Sequence, residues 1–523
     1  MIPLALFALA LIVRLYRLSY LDVWFDEVAI LFQIQGTFPE IWNFCKAENF
    51  PPLYSWLLKV WSLGGGSDGW LRLLSALLGA LIPPLAYAIG KELKGRRLGL
   101  WLGLACLLSL PLYYYSQIIR MYSLFVLLAC LSYYGFLRAL ATGRWKYWFL
   151  TALANLLGFY AFLFMSFVVL SEFLVLAYSY RFEARRYWRP VLAHLPAIAL
   201  MSFWMMTLLT RYRAQQSYVP SHLSFQDLIE LWIYFGTGYK APHQELLMAA
   251  ANLPFALGLI LGLRKWFGHP PVTALVLIAA LSLLLICGLS IIGQSIFFDR
   301  YMLFLLPIYL ALALMGWMEL ASPLWRKVGL VWFFGALLFS QGYYWTHYHA
   351  VNDEFRHHGV FVRPADDDGR SMSRTAAALE REVGPDEVII HYSSHFLKDF
   401  SYFNFVYFHN RALPEYIYST QDIPEYAGRQ YLHAGDHIRS LRDLPRLPEG
   451  IWVITLNQVD ILLQGSAANQ EAQKIIVKEG DLPGELVDDG YVLQHTSRDG
   501  AVSVAHFRKL SGLGASGESG RRE

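Results

Sequence analysis

The sequence predicts a polytopic α-helical membrane protein of about eleven transmembrane helices, followed by one extracytoplasmic α/β domain. Three observations predict it. The chain is 56% hydrophobic and only 16% charged, where a soluble protein carries about 25% charged residues. That deficit belongs to residues 1–345, a series of long apolar runs, while 346–523 has ordinary soluble composition. The short connections between the runs also alternate in charge, as the loops of a membrane protein do. We therefore expect a membrane domain over 1–345, an α/β domain over 346–510 and a disordered tail over 511–523.

A helix needs about 20 apolar residues to cross the hydrocarbon. Runs of that kind lie at roughly 2–19, 70–90, 98–115, 119–138, 146–160, 161–180, 190–210, 245–263, 271–292, 301–320 and 328–345. The stretch 146–180 is continuous and is split near Gly158. Alternate connections read KELKGRR, RALATGRWK, RFEARRYWRP, LRKWFGHP and LWRKVG. All five are short and basic, which places them in the cytoplasm. The loops 20–69, 116–118, 211–244 and 293–300 then face outward, together with everything after 345. The N-terminal run lacks a basic leader and a small-residue cleavage site, so it reads as a retained first span rather than a signal peptide. The net charge of +3 reflects these loops and gives no indication of nucleic acid. Of the four cysteines, Cys106, Cys130 and Cys287 lie in apolar runs and Cys45 in a loop. No spacing suggests a metal site or a disulfide framework.

The first outer loop carries the chemistry. It opens YLDVWFDEVAILF over 20–32, with Asp26 beside Glu27 among large apolar residues. Further on, LYSWLLKVWSL begins after Pro51-Pro52 and ends at a triple glycine. It is too short to span and reads as an interfacial helix on the outer leaflet. Adjacent residues on a helix point about 100° apart, so Asp26 and Glu27 do not serve one atom together, whereas Asp22 and Asp26 share a face. One acid can act while its neighbour caps a helix or pairs with a cation; a solvated acidic loop is the bland alternative, which Trp24, Phe25, Val28 and Ile30 argue against. A positioned carboxylate is a general base. Glu48, just before NFPPL, is either a second active-site acid or an exposed loop charge.

A sugar leaving on a phosphate departs as a stable anion, so one base and a set of cations suffice. A glycosidase, in contrast, needs two carboxyl groups. The outer span ends supply cations: Arg120 in YYYSQIIRMYSL, Arg211 and Arg213 in TRYRAQQ, Lys240 in GTGYK, and Arg300 beside Tyr301 in FFDRYMLFLLP. Arginine suits phosphate oxygens, and ionisable groups at membrane depth are functional candidates by default. Snorkelling to headgroups is the alternative, strongest for Arg211 and Arg213. Gln117 stands three residues before Arg120, which puts two polar groups on one helical face.

These segments in this order resemble the GT-C glycosyltransferases that use polyprenyl-phosphate sugars, nearest to the protein O-mannosyltransferase and lipid A aminoarabinose transferase group. The resemblance rests on RLYRLSYLDVWFDE, ENFPPLYSWLLKVW, YSQIIRMYSLFVLLA and FFDRYMLFLLPIYLAL, spread over residues 10–310. It implies inverting transfer of a sugar from a polyprenyl-phosphate donor to a hydroxyl of a lipid, protein or glycan acceptor at the outer face. The family's catalytic aspartate falls on Asp26, its neighbour on Glu27, the acid before Pro-Pro on Glu48 and the arginine on Arg120. Two departures stand out. Ile118 replaces the acid that many relatives carry two residues before the arginine, and Asn49-Phe50 stand where aminoarabinose enzymes have a lysine. No cofactor is expected; a divalent metal is compatible with the chemistry but not indicated. A bacterial inner membrane, with the N-terminus cytoplasmic, fits the compact loops.

In the C-terminal part, RTAAALEREVG reads as a helix. DEVIIHY, GIWVITLN and YVLQHTSRDGAVSVAHF read as strands, the last as a hairpin about RDG. His347, His349, His357 and His358 bracket AVNDEF; imidazoles and carboxylates ligate zinc, but the spacing fits no compact site, and a solvated juxtamembrane segment is preferred. GGGSDG lacks the Lys-Ser/Thr of a phosphate loop. The competing readings are a transporter or flippase of lipid-linked glycans, a glycan ligase, and a non-catalytic scaffold. Against a transporter, no internal repeat relates the halves.

Overall fold

The computed structural model describes residues 1–180, 184–209, 223–238, 245–292, 296–347, 370–392, 397–420, 432–456, 482–500 and 502–509. The predicted sites at Arg211, Arg213, Lys240, His349, His357 and His358, and the tail, lie outside them. The chain divides into two compact units. One comprises Met1–Ser19 with Ile30–Asn352, the other Tyr20–Ala29 with Asp353–Glu523.

The first unit is helical. In chain order it holds α1 (Ile2–Leu15), the end of α2 (Phe25–Gln33), α3 (Phe38–Ala47), α4 (Leu53–Ser62), α5 (Asp68–Ala80), α6 (Ile82–Leu108), α7 (Leu110–Tyr114) and α8 (Tyr122–Thr142). It continues with α9 (Trp145–Ala161), α10 (Met165–Tyr180), α11 (Ala184–Leu209), α12 (Phe225–Gly236), α13 (Glu245–Trp266) and α14 (Pro270–Ile292). A 3₁₀ turn at Asp299–Leu305 leads into α15 (Leu306–Met318), and α16 is Pro323–His347. Among the described residues, helix occupies most of each of the eleven predicted intervals. Among the described residues six helical stretches are long and apolar enough to cross a membrane: Asp68–Leu108, Tyr122–Thr142, Tyr187–Thr207, Leu246–Trp266, Pro270–Ile292 and Asp299–Met318. α1 and α10 are shorter apolar helices. The chain is an integral membrane protein.

Local chemistry explains the breaks. KELKGRR is a turn, because Lys94 leaves helical geometry and Gly95 takes φ +80°, a conformation that costs a residue with a Cβ. α6 folds back on itself there, and a Cβ on Gly90 would meet Gly99 Cα at 2.8 Å. The 146–180 stretch is two helices, as expected. The break comes at Phe162, with φ −158° and ψ 131°, four residues after Gly158, which is helical. α3 opens on a capping box between Thr37 and Glu40; this helix and α12, inside the expected loop 211–244, have no long apolar run to announce them. Residues 115–121 are turn and bend, so Gln117 and Arg120 do not share a helical face.

Where α8, α9, α10 and α11 meet, four polar side chains are sealed among apolar ones. Ser132 Oγ lies 2.6 Å from both Asn155 Oδ1 and Glu172 Oε1. Asn155 Nδ2 lies 2.8 Å from Glu172 Oε2 and 3.3 Å from His194 Nε2. All four residues are buried.

The second unit is a small α/β domain. After α17 (Ser371–Glu382) come β1 (Glu387–His391), α18 (Leu397–Phe408), β2 (Glu415–Tyr418), β3 (His437–Ile438), β4 (Gly450–Leu456), α19 (Leu482–Asp488), β5 (Tyr491–Asp499) and β6 (Val502–Lys509). The sheet runs β3-β2-β1-β4-β6-β5. β3, β2, β1 and β4 are parallel, and the β5–β6 hairpin closes it antiparallel. β4 and the Val388–Ile390 centre of β1 are apolar runs, as strands covered on both faces are. The predicted helix, strands and hairpin are present; β2, β3, α18 and α19 are additions.

Two carboxylates are built into this sheet. Glu387 accepts from the Gly384 N–H at 3.0 Å and the Trp452 indole at 2.7 Å, with His506 Nε2 at 3.2 Å. Burial alone would raise its carboxyl, but these partners outweigh that and hold it below 4.5. Glu415 Oε1 lies 2.7 Å from His409 Nε2 and 3.5 Å from His391 Nε2. Here too burial pushes up, and His391 then His409 outweigh it, so the carboxyl again sits below 4.5.

Candidate active site

Asp26 and Glu27 lie in the first turn of α2, and the two acids have separate settings. Trp24 precedes the helix, and its C=O accepts from Glu27 N–H at 2.8 Å and Val28 N–H at 2.9 Å. Glu27 reaches back and accepts from the Trp24 N–H at 3.2 Å, which is one half of a capping box. It is 1% exposed, whereas Asp26 is half-buried. Asp22 lies before the helix, so the expected common face of Asp22 and Asp26 does not exist. Asp22 instead accepts from the Ser373 N–H at 3.0 Å. Trp24 and Phe25 pack on a core cluster that includes Met372, Leu379, Phe405, Trp452 and Val504.

Glu48 is set in the helical unit by a sharp turn. It ends α3, Asn49 takes φ +58°, and the Phe50 N–H bonds back to Cys45 C=O at 3.0 Å. This is a left-handed helix end with asparagine in place of the usual glycine. Pro51 and Pro52 then start α4. Gln33 Nε2 donates to Glu48 Oε2 at 2.8 Å, and Ser55 Oγ donates to Gln33 Oε1 at 3.1 Å. Cys45 Sγ is 3.9 Å from Ser55 Oγ. Burial, with Glu48 nearby, pushes the Cys45 thiol up to about 12, so it is inert. Three short helices thus fix one carboxylate. The sequence offered only a weak pointer to Gln33, a polar residue closing an apolar helix.

The Arg120 guanidinium lies 5.2 Å from the Phe50 ring centre, a cation–π distance, and Arg120 is 7% exposed. Phe50 stacks on Phe162 at 6.2 Å, and Phe162 meets Tyr301 at 4.9 Å. Arg300 lies 5.3 Å from the Tyr301 ring. Arg120, Arg300 and Tyr301, drawn from two distant parts of the sequence, are therefore linked through one aromatic cluster with Phe50 and Phe162, and Glu48 stands two residues before Phe50. Gln117 is occupied otherwise: its Nε2 donates to Arg14 C=O at 2.9 Å and Tyr16 C=O at 2.8 Å, tying the bend to the end of α1. Among the described residues, no group of three or more His, Cys, Asp or Glu could hold a metal ion.

Residues 49–201 match a family model described as dolichyl-phosphate-mannose-protein mannosyltransferase. No curated protein matches the chain. The fold is shared with ArnT from Cupriavidus metallidurans. Against its apo crystal structure the identity is 12%, covering 96% of this chain and 97% of that one, at a TM-score of 0.55. Against the same protein bound to undecaprenyl phosphate the identity is 13%, covering 97% and 98%, also at 0.55. The likeness therefore lies in one segment that matches a mannosyltransferase family model and in a fold shared with ArnT.

Proposed function

We propose that this protein is a glycosyltransferase that moves a sugar from a polyprenyl-phosphate donor to an acceptor hydroxyl at the outer face of the membrane. The observation that carries the reading is the joining of Arg120, Arg300 and Tyr301 around one aromatic cluster, whose Phe50 lies two residues along the chain from the fixed carboxylate of Glu48, in a chain whose matched segment and fold resemble those of lipid-phosphate-sugar enzymes. A buried arginine on an aromatic face has its charge fixed and little reorganisation left to undergo, which suits a phosphate that gains charge as it leaves.

In this reading Asp26 takes the proton of the acceptor hydroxyl. The acceptor oxygen attacks the anomeric carbon, the bond from that carbon to the phosphate oxygen breaks, and the configuration inverts. The polyprenyl phosphate leaves as an anion beside Arg120 and Arg300, with no proton required. Glu27 serves the helix end and is not the base. Eleven crossings, with the C-terminal unit outside and the N-terminus cytoplasmic, agree with the five basic loops and the eleven helical intervals. A bacterial inner membrane, with a lipid, protein or glycan acceptor, fits the same reading. The alternative of a flippase has no structural observation in its favour.

The test is transfer from radiolabelled polyprenyl-phosphate hexoses in membranes, with label followed into lipid, protein and glycan. We expect Asp26→Asn and Arg120→Gln to lose transfer at least ~100-fold with normal expression, and Glu27→Gln to lose far less. Full transfer by Asp26→Asn removes it from the chemistry.

A further inference from the structure

The C-terminal unit has no role in the chemistry just described. We propose that its job is to position the candidate base, by folding residues 20–29 as part of itself. This rests on the transferase reading above.

Four contacts carry it, each linking the segment to residues some 345–480 positions later. The Ser373 N–H, at the start of α17, donates to the Asp22 carboxylate. The Arg370 guanidinium lies 5.7 Å from the Tyr20 ring. Phe25 lies 6.1 Å from Phe403 on α18. Trp24 and Phe25 pack on the cluster formed by α17, α18, β1, β4 and β6. Residues 20–24 carry no regular secondary structure, and within the segment the bonds between Trp24 and Glu27 shape the first turn of α2 without tying it to the rest of the unit. The contacts from the C-terminal unit do so on both sides: Asp22 is held three residues before the helix starts, and Phe25 at its first residue. Asp26 follows directly on that fixed point. A base works only within hydrogen-bond reach of its proton, and a misplacement of about 1 Å can cost ~100-fold in rate. Asp22 is thus a positioning residue, and Trp24 and Phe25 are the anchor.

The experiment uses the full-length protein in lipid nanodiscs, comparing wild type with Phe403→Ala, Phe403→Leu and Asp22→Ala. Two readouts are taken: hydrogen exchange of residues 20–29, and steady-state transfer from a polyprenyl-phosphate hexose. We expect Phe403→Ala to raise exchange in 20–29 and to lower kcat ~10- to 100-fold with KM for the donor unchanged. Phe403→Leu should restore most of both. Asp22→Ala, which leaves the core packing in place, should lower kcat ~10-fold by the same pattern. Unchanged exchange in 20–29 overturns the anchoring, and raised exchange with undiminished kcat overturns the positioning. A wild type inactive with every donor sinks the transferase reading itself, and the exchange result still decides whether the C-terminal unit holds the segment.

Discussion

Glu172 in the helical bundle and Glu415 in the sheet are both almost wholly enclosed, but by different kinds of neighbour. Ser132 Oγ stands 2.6 Å from Glu172 Oε1 and from Asn155 Oδ1. A hydroxyl has one hydrogen, so both contacts are satisfied only if Glu172 brings a proton of its own. Turning the Asn155 amide around sets its oxygen against Glu172 Oε2, and the same proton is required. Around Glu415 the count runs the other way. The Ala412 N–H donates to His409 Nδ1 at 3.1 Å, which leaves the His409 proton on Nε2, facing the carboxylate. The bundle holds an acid and the sheet holds its anion. Where few fixed donors are at hand, a carboxyl is cheaper kept neutral; where two imidazole rings face it, it is cheaper ionised.

The comparison can be broken by changing Glu to Gln in each place, since an amide imitates the acid and not the anion. The largest expected effect is Glu415→Gln. It turns an NH₂ toward His409 or removes the charge the histidines face, and should cost the C-terminal unit about 3 kcal/mol, read from the exchange of β1 and β2 amides in the full-length protein. Acid comes next. Glu387 and Glu415 have folded pKa values below 4.5, so the stability they confer is complete above 4.5 and is lost as pH falls through those lower values. Burial lowers His506 as well, against the pull of Glu387, which adds a loss in the same direction as pH falls below 6.5. Denaturation of the sheet as pH falls below 4.5 should therefore precede that of the bundle, and the double variant Glu387→Gln, Glu415→Gln should lose the part of this dependence that the carboxylates supply, keeping that of His506. Equal acid sensitivity of the two units removes the contrast. Glu172→Ala deletes the centre of the bundle's network and should cost about 1–2 kcal/mol in detergent unfolding, since interhelical bonds in membranes average well below that each. The smallest effect is Glu172→Gln, expected within about 0.5 kcal/mol of wild type. A large loss there means that Glu172 is ionised after all.

The same contrast explains what could be read from the sequence. Long apolar runs and basic turns announce themselves by composition, so every long helix of the bundle was legible, as were the Pro51-Pro52 start of α4 and the strands β1, β4, β5 and β6. α3 is set by the Thr37–Glu40 box within an otherwise mixed stretch, and β2 and β3 are too short for an alternation to register. The acids and arginines stood out because charge is scarce near the membrane. Their division of labour did not. That Gln117 ties down α1 and that Gln33 holds Glu48 depend on which side chains the fold brings within 3 Å. No spacing along the chain encodes that.

The anchoring of residues 20–29 also sets an order of events in the making of the protein. This segment leaves the ribosome long before the strand that completes its packing surface, β6, the last described element of the chain. Domains fold as units during synthesis, N-terminal parts first. Here the stretch bearing the candidate base has to wait while more than 450 residues are made, and every membrane helix is laid down before its resting place exists. On the proposed anchoring, a chain cut short before Val502 would retain Asp26 and Arg120 but lack the strand that completes the seat of residues 20–29.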